Sequence, residues 1–370
     1  MSEFTAIDRQ MMLRAIALAK RGLYTTAPNP NVGCVLLRDG EIVGEGFHFR
    51  AGEPHAEVHA MRMAGDKAKG ATAYVTLEPC SHYGRTPPCA EGLINAGVSR
   101  VVCAMEDPNP QVAGRGFAML REAGIEVSVG LLQAEAEAEA LNPAFIKRMK
   151  TGMPFVQLKM AASLDGQTAL ANGNSQWITS PQARRDVQRF RAQSGAILST
   201  SKTVIADNAS LNVRWSELPS SVQRALPQEQ LRQPTRVVLD RQAELSPELK
   251  LYQTAGERLI VGPKGDLPAP LDEQGQIDLP QLFAQLSQTQ FINHLWVEAG
   301  ATLAAKLIKH QLVDELIVYL APKLMGSDGR GLIGALGLQA MSQVIDLDIK
   351  DVRMVGPDIR IIAHIKAKES

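Results

Sequence analysis

Cysteine is scarce in this chain: four among 370 residues, at positions 34, 80, 89 and 103. A disulfide framework is not expected of so few, and metal ligation or core packing are the uses left to them. Net charge is lacking too, with 39 basic against 39 acidic side chains. The overall positive field that draws a protein to nucleic acid is therefore missing. Aromatic residues make up only 5%, which argues against a stacking platform for single strands. No apolar run approaches the length of a membrane span. The opening Met1-Ser2-Glu3-Phe4 leads into an amphipathic segment rather than a secretory signal. These absences point to a cytoplasmic globular protein, and its length exceeds what one ordinary core organises, so two domains are expected.

What is present reads as α/β. Thr5-x-x-Asp8 is a capping box ahead of apolar positions Ile7, Met11, Ala15, Leu18 and Ala19, and Gly22 stops that helix. Residues 32–38 and 41–48 read as strands joined by the hairpin turn Asp39-Gly40. Helices at 55–68, 88–96 and 116–123 alternate with strands at 72–77, 100–105 and 125–129, the pattern of a sandwich around a mixed sheet. An Ala/Glu-rich helix over 131–149 presents Glu135, Glu137 and Glu139 to solvent. Thr151-Gly152-Met153-Pro154 punctuates the chain, giving domains of 1–149 and 150–370. The second domain repeats the alternation, with strands at 154–161, 196–199, 235–239, 258–261, 295–297 and 315–321, helices near 181–193, 279–287 and 301–310, and β-structure at 344–349 and 359–366. The polar stretch 216–234 reads as a surface loop.

Three pieces carry metal chemistry. His55-Ala56-Glu57 opens a helix, Glu78-Pro79-Cys80 follows a strand, and Pro87-Pro88-Cys89 opens the next helix. A helix N-terminus favours thiolate over thiol. His55, Cys80 and Cys89 supply three ligands for Zn²⁺, which leaves the fourth tetrahedral position to water, as a catalytic site requires. Glu57, two residues from a ligand, can move a proton from that water to a leaving nitrogen. His59 stands four residues after His55, a spacing that also suits a His-x-x-x-His zinc pair. The zincin motif, however, places its Glu one residue after the first His, not two, and His59 is read as a supporting residue. Cys34 and Cys103 lie inside apolar strands and read as core.

His-x-Glu followed by Pro-Cys and a second Cys resembles the cytidine-deaminase-like superfamily. Eight residues separate Cys80 from Cys89, a longer interval than the nucleic-acid-editing members carry; this form resembles the pyrimidine deaminases of riboflavin biosynthesis. Pro28-Asn29-Pro30-Asn31-Val32-Gly33, Gly44-Glu45-Gly46-Phe47-His48 and Glu106-Asp107-Pro108-Asn109-Pro110 match the same family. The resemblance implies a three-layer sandwich whose substrate contacts come from Asn29, His48, His82, Arg85, Asp107 and Asn109.

In the second domain, the ordered set Lys159, Ala161, Ser175, Trp177, Arg191, Thr203, Asp207, Leu211, Arg214 and Glu298-Ala299-Gly300 resembles the reductases of the same pathway, which have a dihydrofolate-reductase-like fold. That resemblance implies NADPH contacts from Ala161, Trp177, Thr203, Asp207, Gly300, Ala301, Thr302, Leu303, Ala304, Ala305 and Lys306. It implies substrate contacts from Ser175, Arg191, Leu211, Arg214 and Glu298. Lys159 and Asp207 fall where the nicotinamide meets the ribosyl group and are candidate catalytic residues. Ser199-Thr200-Ser201 stands where the family commonly carries Val-Gly, small residues that keep a close backbone approach. The whole chain then implies a two-step enzyme acting on a phosphoribosylated pyrimidine, with zinc and NADPH as cofactors, no nucleic-acid or membrane partner, and a homodimer formed through the reductase domain. The rival is a nucleic-acid or nucleoside base deaminase with an accessory domain; it predicts a basic, aromatic surface. A catalytically dead binding module would have lost Glu57 or a ligand, and neither is lost.

Overall fold

The computed structural model describes residues 4–83, 87–110 and 112–366. It divides into two compact units, Met1–Gly152 and Met153–Ser370. In the first, α1 (Ala6–Ala19) starts on the reciprocal Thr5/Asp8 capping box. Then come β1 (Gly33–Arg38), β2 (Glu41–Phe47), α2 (Ala56–Ala64), β3 (Thr72–Val75), α3 (Cys89–Asn95), β4 (Arg100–Cys103), α4 (Arg115–Glu122) and β5 (Glu126–Val129), and α5 (Leu132–Leu141) and α6 (Pro143–Thr151) close the unit. The sheet order is β2-β1-β3-β4-β5. β1 is antiparallel to β2 and β3, and β3, β4 and β5 run parallel.

Strand alternation builds the layers. Val35, Tyr74 and Val102 face a core shared with α1 and α5, and Cys34, Leu36, Ala73, Val75 and Val101 face another shared with α2, α3 and α4. Cys34 and Cys103 are fully buried free thiols. The helix expected over 131–149 is instead two, because Pro143 cannot continue α5 and begins α6. Asn142, at the break, is held by Asn31: its Oδ1 accepts from the Asn31 amide at 2.7 Å and its Nδ2 donates to the Asn31 carbonyl at 3.0 Å.

α2 lies unusually close to β2. A Cβ at Gly44 would sit 2.1 Å from the Ala60 carbonyl oxygen, and one at Gly46 would sit 2.2 Å from that of Ala56. Only glycine allows this backbone contact, and it fixes the height at which α2 presents His55 and Glu57.

The second unit runs β6 (Phe155–Ser163), β7 (Gln167–Ala169), α7 (Pro181–Gln193), β8 (Ala196–Thr200), α8 (Ser201–Asp207), α9 (Ser220–Ala225), β9 (Thr235–Leu239), α10 (Lys250–Gln253), β10 (Arg258–Val261), α11 (Leu279–Gln288), β11 (His294–Glu298), α12 (Ala301–Lys309), β12 (Glu315–Ala321), β13 (Arg330–Gly331), β14 (Leu347–Val355) and β15 (Asp358–Ile365). Its main sheet has the order β10-β9-β8-β11-β6-β12-β15-β14. The first six strands are parallel; β15 and β14 are antiparallel additions. α11 and α12 cover one face through Leu282, Phe283, Leu303 and Leu307. α7 covers the other, stacking Phe190 on Trp296 with centroids 5.1 Å apart. Residues 216–234, expected as a surface loop, include α9 and fold inward. Leu218, Val222 and Leu226 are buried, and Trp215 Nε1 donates to the Leu226 carbonyl at 2.8 Å. β14 extends six residues past its expected end, pairing with β15 on both sides of a bulge that shifts the register by one residue between Ile349 and Asp351.

Replacing Gly46 with Ala should force α2 away from the sheet at a cost of about 1–3 kcal/mol. The expected result is a lower melting temperature for the first unit together with weakened zinc retention, read by calorimetry and metal analysis. Full zinc binding at an unchanged melting temperature would show that α2 has room to spare.

Candidate active sites

The first site forms where three element ends meet. His55 is the N-cap of α2, with extended backbone at φ −74°, ψ 167°. Cys80 follows the turn after β3, and Cys89 is the first residue of α3. His55 Nδ1 lies 3.7 Å from Cys80 Sγ and 3.3 Å from Cys89 Sγ, and all three ligand atoms fall within 4.8 Å of one another. A tetrahedral zinc with ordinary Zn–N and Zn–S bonds separates such donors by about 3.6 Å. The donor set and its spacing therefore fit that ion. The Cys89 amide donates to Cys80 Sγ at 3.2 Å. Hydrogen bonding from Cys89, with further help from His55, draws the Cys80 thiol down to about 4, against the desolvation that opposes ionisation.

Glu57, in the first turn of α2, is 3% exposed, and its Oε2 has no hydrogen-bond partner among the described residues. Burial pushes its carboxyl up to about 7, and the Cys80 thiolate adds to the rise. A bound dication acts in the opposite direction. A buried carboxylate with one uncommitted oxygen beside three metal ligands is placed to take up and release a proton.

Several of the sequence-predicted substrate residues gather around this centre. The His48 ring meets the His55 ring edge-on at 5.2 Å. Burial draws His48 down to about 4, so the ring is neutral. Its Nδ1 faces the Pro54 carbonyl at 3.2 Å and its Nε2 faces Asn29 Nδ2 at 3.1 Å. Donation to Pro54 from Nδ1 therefore leaves Nε2 to accept from Asn29. Asp107 is half-buried and its Oδ1 accepts from the Asn109 amide at 2.8 Å. Burial raises the Asp107 carboxyl, and His82, itself exposed, opposes that rise. Arg85 lies outside the described residues. His59 is not among the converging ligands; its buried Nε2 has no partner among the described residues.

The second site is a cavity of ≈ 1170 Å³ at the C-terminal ends of parallel strands β6, β8 and β11, the usual ligand position in such sheets. Lys159, Ala161, Ser175, Trp177 and Arg191 line it, as do Thr203, Asp207, Leu211, Arg214 and Glu298. So do Gly300, Ala301, Thr302, Leu303 and Lys306 from the start of α12. Ala304 and Ala305 do not line it: helical periodicity turns both side chains into the protein, where they are 0% and 5% exposed. Gly300 caps α12, and a Cβ there would point into open space. That gap in front of a helix N-terminus is a cradle suited to the diphosphate of a dinucleotide.

Arg191 has a task that the sequence did not show. Its Nε and Nη2 pair with the two oxygens of Glu298 at 2.6 and 2.8 Å, and its Nη1 donates to the Asn212 carbonyl at 2.9 Å. Trp296 Nε1 also donates to Glu298 at 2.7 Å. Burial would raise the Glu298 carboxyl, but Arg191, aided by Lys159, brings it to about 2. Arg191 thereby holds the turn of 211–214, in which buried Leu211 takes φ 52°. Gln188, not singled out from sequence, accepts from the Arg214 amide at 3.0 Å. Arg214 itself is exposed and pairs with Glu217 at 2.6 Å. Burial lowers the Lys159 ammonium, while Glu298 and Asp207 support its charge. Ser199 uses its hydroxyl to bond the Glu298 carbonyl at 2.6 Å, and Thr200 caps α8 by accepting from the Thr203 amide. Arg184 stacks over Trp177 at 4.5 Å.

Comparison with known proteins finds relatives that span both units. Residues 5–105 match the cytidine and deoxycytidylate deaminase zinc-binding region, and residues 154–361 match the RibD C-terminal domain. The riboflavin biosynthesis protein RibD of Escherichia coli (strain K12) is 58% identical over 95% of this chain and 98% of its own length. The chain belongs to the RibD family. Acinetobacter baumannii RibD has a similar structure, with a TM-score of 0.88, 46% identity, and coverage of 97% of this chain and 99% of that one. So does a Thermotoga maritima diaminohydroxyphosphoribosylaminopyrimidine deaminase/5-amino-6-(5-phosphoribosylamino)uracil reductase, at 0.82 and 32% identity, with coverage of 97% and 99%. As a RibD-family member this chain is an enzyme of riboflavin biosynthesis with deaminase and reductase activities, using zinc in the first and NADPH in the second. Nucleic-acid deamination is not favoured by these relatives.

Glu57→Gln should keep about one zinc per chain, the load of one three-ligand site, and lose ammonia release by roughly 10² or more. Metal analysis and an ammonia assay check both. Near-normal turnover removes Glu57 from proton transfer.

Proposed function

We propose that the first unit hydrolyses the exocyclic amine of 2,5-diamino-6-(5-phosphoribosylamino)pyrimidin-4-one, and that the second reduces the ribosyl side chain of the product to ribityl. The observation that carries the first step is Glu57 Oε2, buried and unpartnered beside the converging ligands. Zinc, when bound to His55, Cys80 and Cys89, supplies a Lewis acid that activates water. Glu57 takes the proton of the attacking water and delivers it to the departing amino group, so that water enters and ammonia leaves. Asn29, His48, Asp107 and Asn109 hold the pyrimidine, with His82 at its edge.

For the second step we propose that Ala161, Trp177, Thr203, Asp207 and the start of α12 hold NADPH, which supplies the hydride. The bond between C1′ and the ring oxygen breaks, hydride adds to C1′, and the ring oxygen takes a proton. Lys159, its ammonium weakened by burial, is placed to give that proton, and Asp207 supports its charge. Ser175, Leu211, Arg191 and Arg214 hold the phosphoribosyl group. Arg191 is fixed by Glu298 and keeps further N–H groups for the phosphate, and Arg214 adds a second guanidinium.

We also infer a homodimer through the reductase unit. Leu347, Ile349, Val352 and Met354 are all exposed on edge strand β14, and the bulge keeps them opposite Ile365, Ala363, Ile361 and Ile359, on one face. Ile361 and Ile365 pack toward the core, so an apolar face continues past the covered part of the sheet. No helix among the described residues is long and apolar enough to cross a membrane, which supports the cytoplasm as the working location.

The diaminopyrimidine nucleotide should yield ammonia and then oxidise NADPH, while RNA yields neither. Arg214→Ala should raise the KM of the reductase step about 10- to 100-fold and leave NADPH affinity unchanged. Arg191→Ala should do the same and also lower the melting temperature of the second unit, since it strands Glu298. Equal effects on phosphorylated and dephosphorylated substrates would show that neither arginine reads the phosphate. Val352→Lys with Met354→Lys should shift the chain to monomer in sedimentation; an unchanged dimer places the interface elsewhere.

A further inference from the structure

Glu78 stands two residues before a metal ligand, yet its side chain turns the other way. It is 4% exposed and has no cationic partner among the described residues. Among the described residues its charge is met by backbone amides. Oε2 accepts from Asp107 at 3.1 Å and Gly114 at 3.0 Å; Oε1 accepts from Gly116 at 2.8 Å and, longer, from Phe117 at 3.4 Å. The last two amides belong to the first turn of α4 and would otherwise lack an intrahelical acceptor. One carboxylate thus clamps both ends of the loop that carries Asp107 and Asn109. The contact has no slack, because a Cβ at Gly116 would sit 2.1 Å from the Pro79 carbonyl oxygen. On its other side the same backbone continues through Pro79 to Cys80. The Glu78 amide also donates to the Met105 carbonyl at 3.1 Å, so the clamp extends to the end of β4.

We infer that Glu78 is a positioning residue of the deaminase, setting the distance between the turn that carries Cys80 and the loop that carries Asp107 and Asn109. The inference rests on the reading that this loop holds the pyrimidine. Glutamine keeps the size of Glu78 but turns an NH₂ toward two N–H donors, so one pair of anchors is lost while the other stays. A loop shifted relative to the metal turn binds substrate poorly, whereas the ligands themselves are untouched.

The experiment uses the full zinc-loaded chain. Glu78→Gln should keep about one zinc per chain and unchanged reductase turnover on pre-deaminated substrate. It should raise the deaminase KM for the diaminopyrimidine nucleotide roughly tenfold or more, with a much smaller change in kcat. Calorimetric binding of that nucleotide, measured with E57Q against the double variant E57Q/E78Q so that turnover is stalled, should show the same loss in affinity. Zinc lost together with activity overturns the inference, because Glu78 would then serve only to hold Cys80. Failure of the first unit to fold in both E78Q and E78D overturns it in the same way. Asp107→Asn and Asn109→Ala separate the two readings. If they raise KM and E78Q does not, the inference fails and the loop reading stands. If neither they nor E78Q alters KM, the loop reading fails with it.

Discussion

The deaminase site depends on how closely one helix can approach one strand. Gly44 and Gly46 let α2 rest on β2 at backbone contact, and both His55 and Glu57 belong to the start of that helix. An imidazole on a cap and a carboxylate in the first turn cannot be adjusted separately once the helix is seated. The interior offers no compensation, since close-packed cores transmit a displacement rather than absorb it. The positions of Glu57, His55 and the neutral His48 beside it are therefore set by the missing side chains of two glycines.

The reductase site is built on a different constraint. Its cavity opens at the ends of parallel strands, where backbone amides and carbonyls run out of partners and ligands can take their place. The Arg191–Glu298 pair is the fixed element there. With three of its nitrogens engaged, Arg191 ties α7 to the end of β11 and to the turn that carries Arg214. Breaking such a buried pair is far more costly than its net contribution to stability would suggest, because one charge is left alone in a poor solvent.

The metal centre was legible in the sequence because each ligand sits at the end of a strongly signalled element, so pattern and position agree. The layered fold was legible for the same reason. The break at Asn142 had a local sign in Pro143, but its anchor, Asn31, lies more than a hundred residues away. Glu78 reads locally as one acid before a Pro-Cys turn, and its partners at 107–117 come near only through the sheet. Arg191 and Glu298 are likewise distant in sequence. Ala304 and Ala305 are a different matter: the 3.6-residue period of α12 was readable and separates them from their neighbours that face the cavity. The bulge in β14 leaves no mark in composition.

The passage from one unit to the other is short. Gly152 caps α6 in the left-handed region, at φ 72°, and β6 starts at Phe155, leaving only Met153 and Pro154 between them. With so brief a link, every copy made carries one deaminase and one reductase, and expression cannot change that ratio. Flux through the pair must then be matched by turnover number rather than by enzyme abundance. A slow first catalyst would leave the second idle on the same polypeptide, and a slow second would let the deaminated compound accumulate.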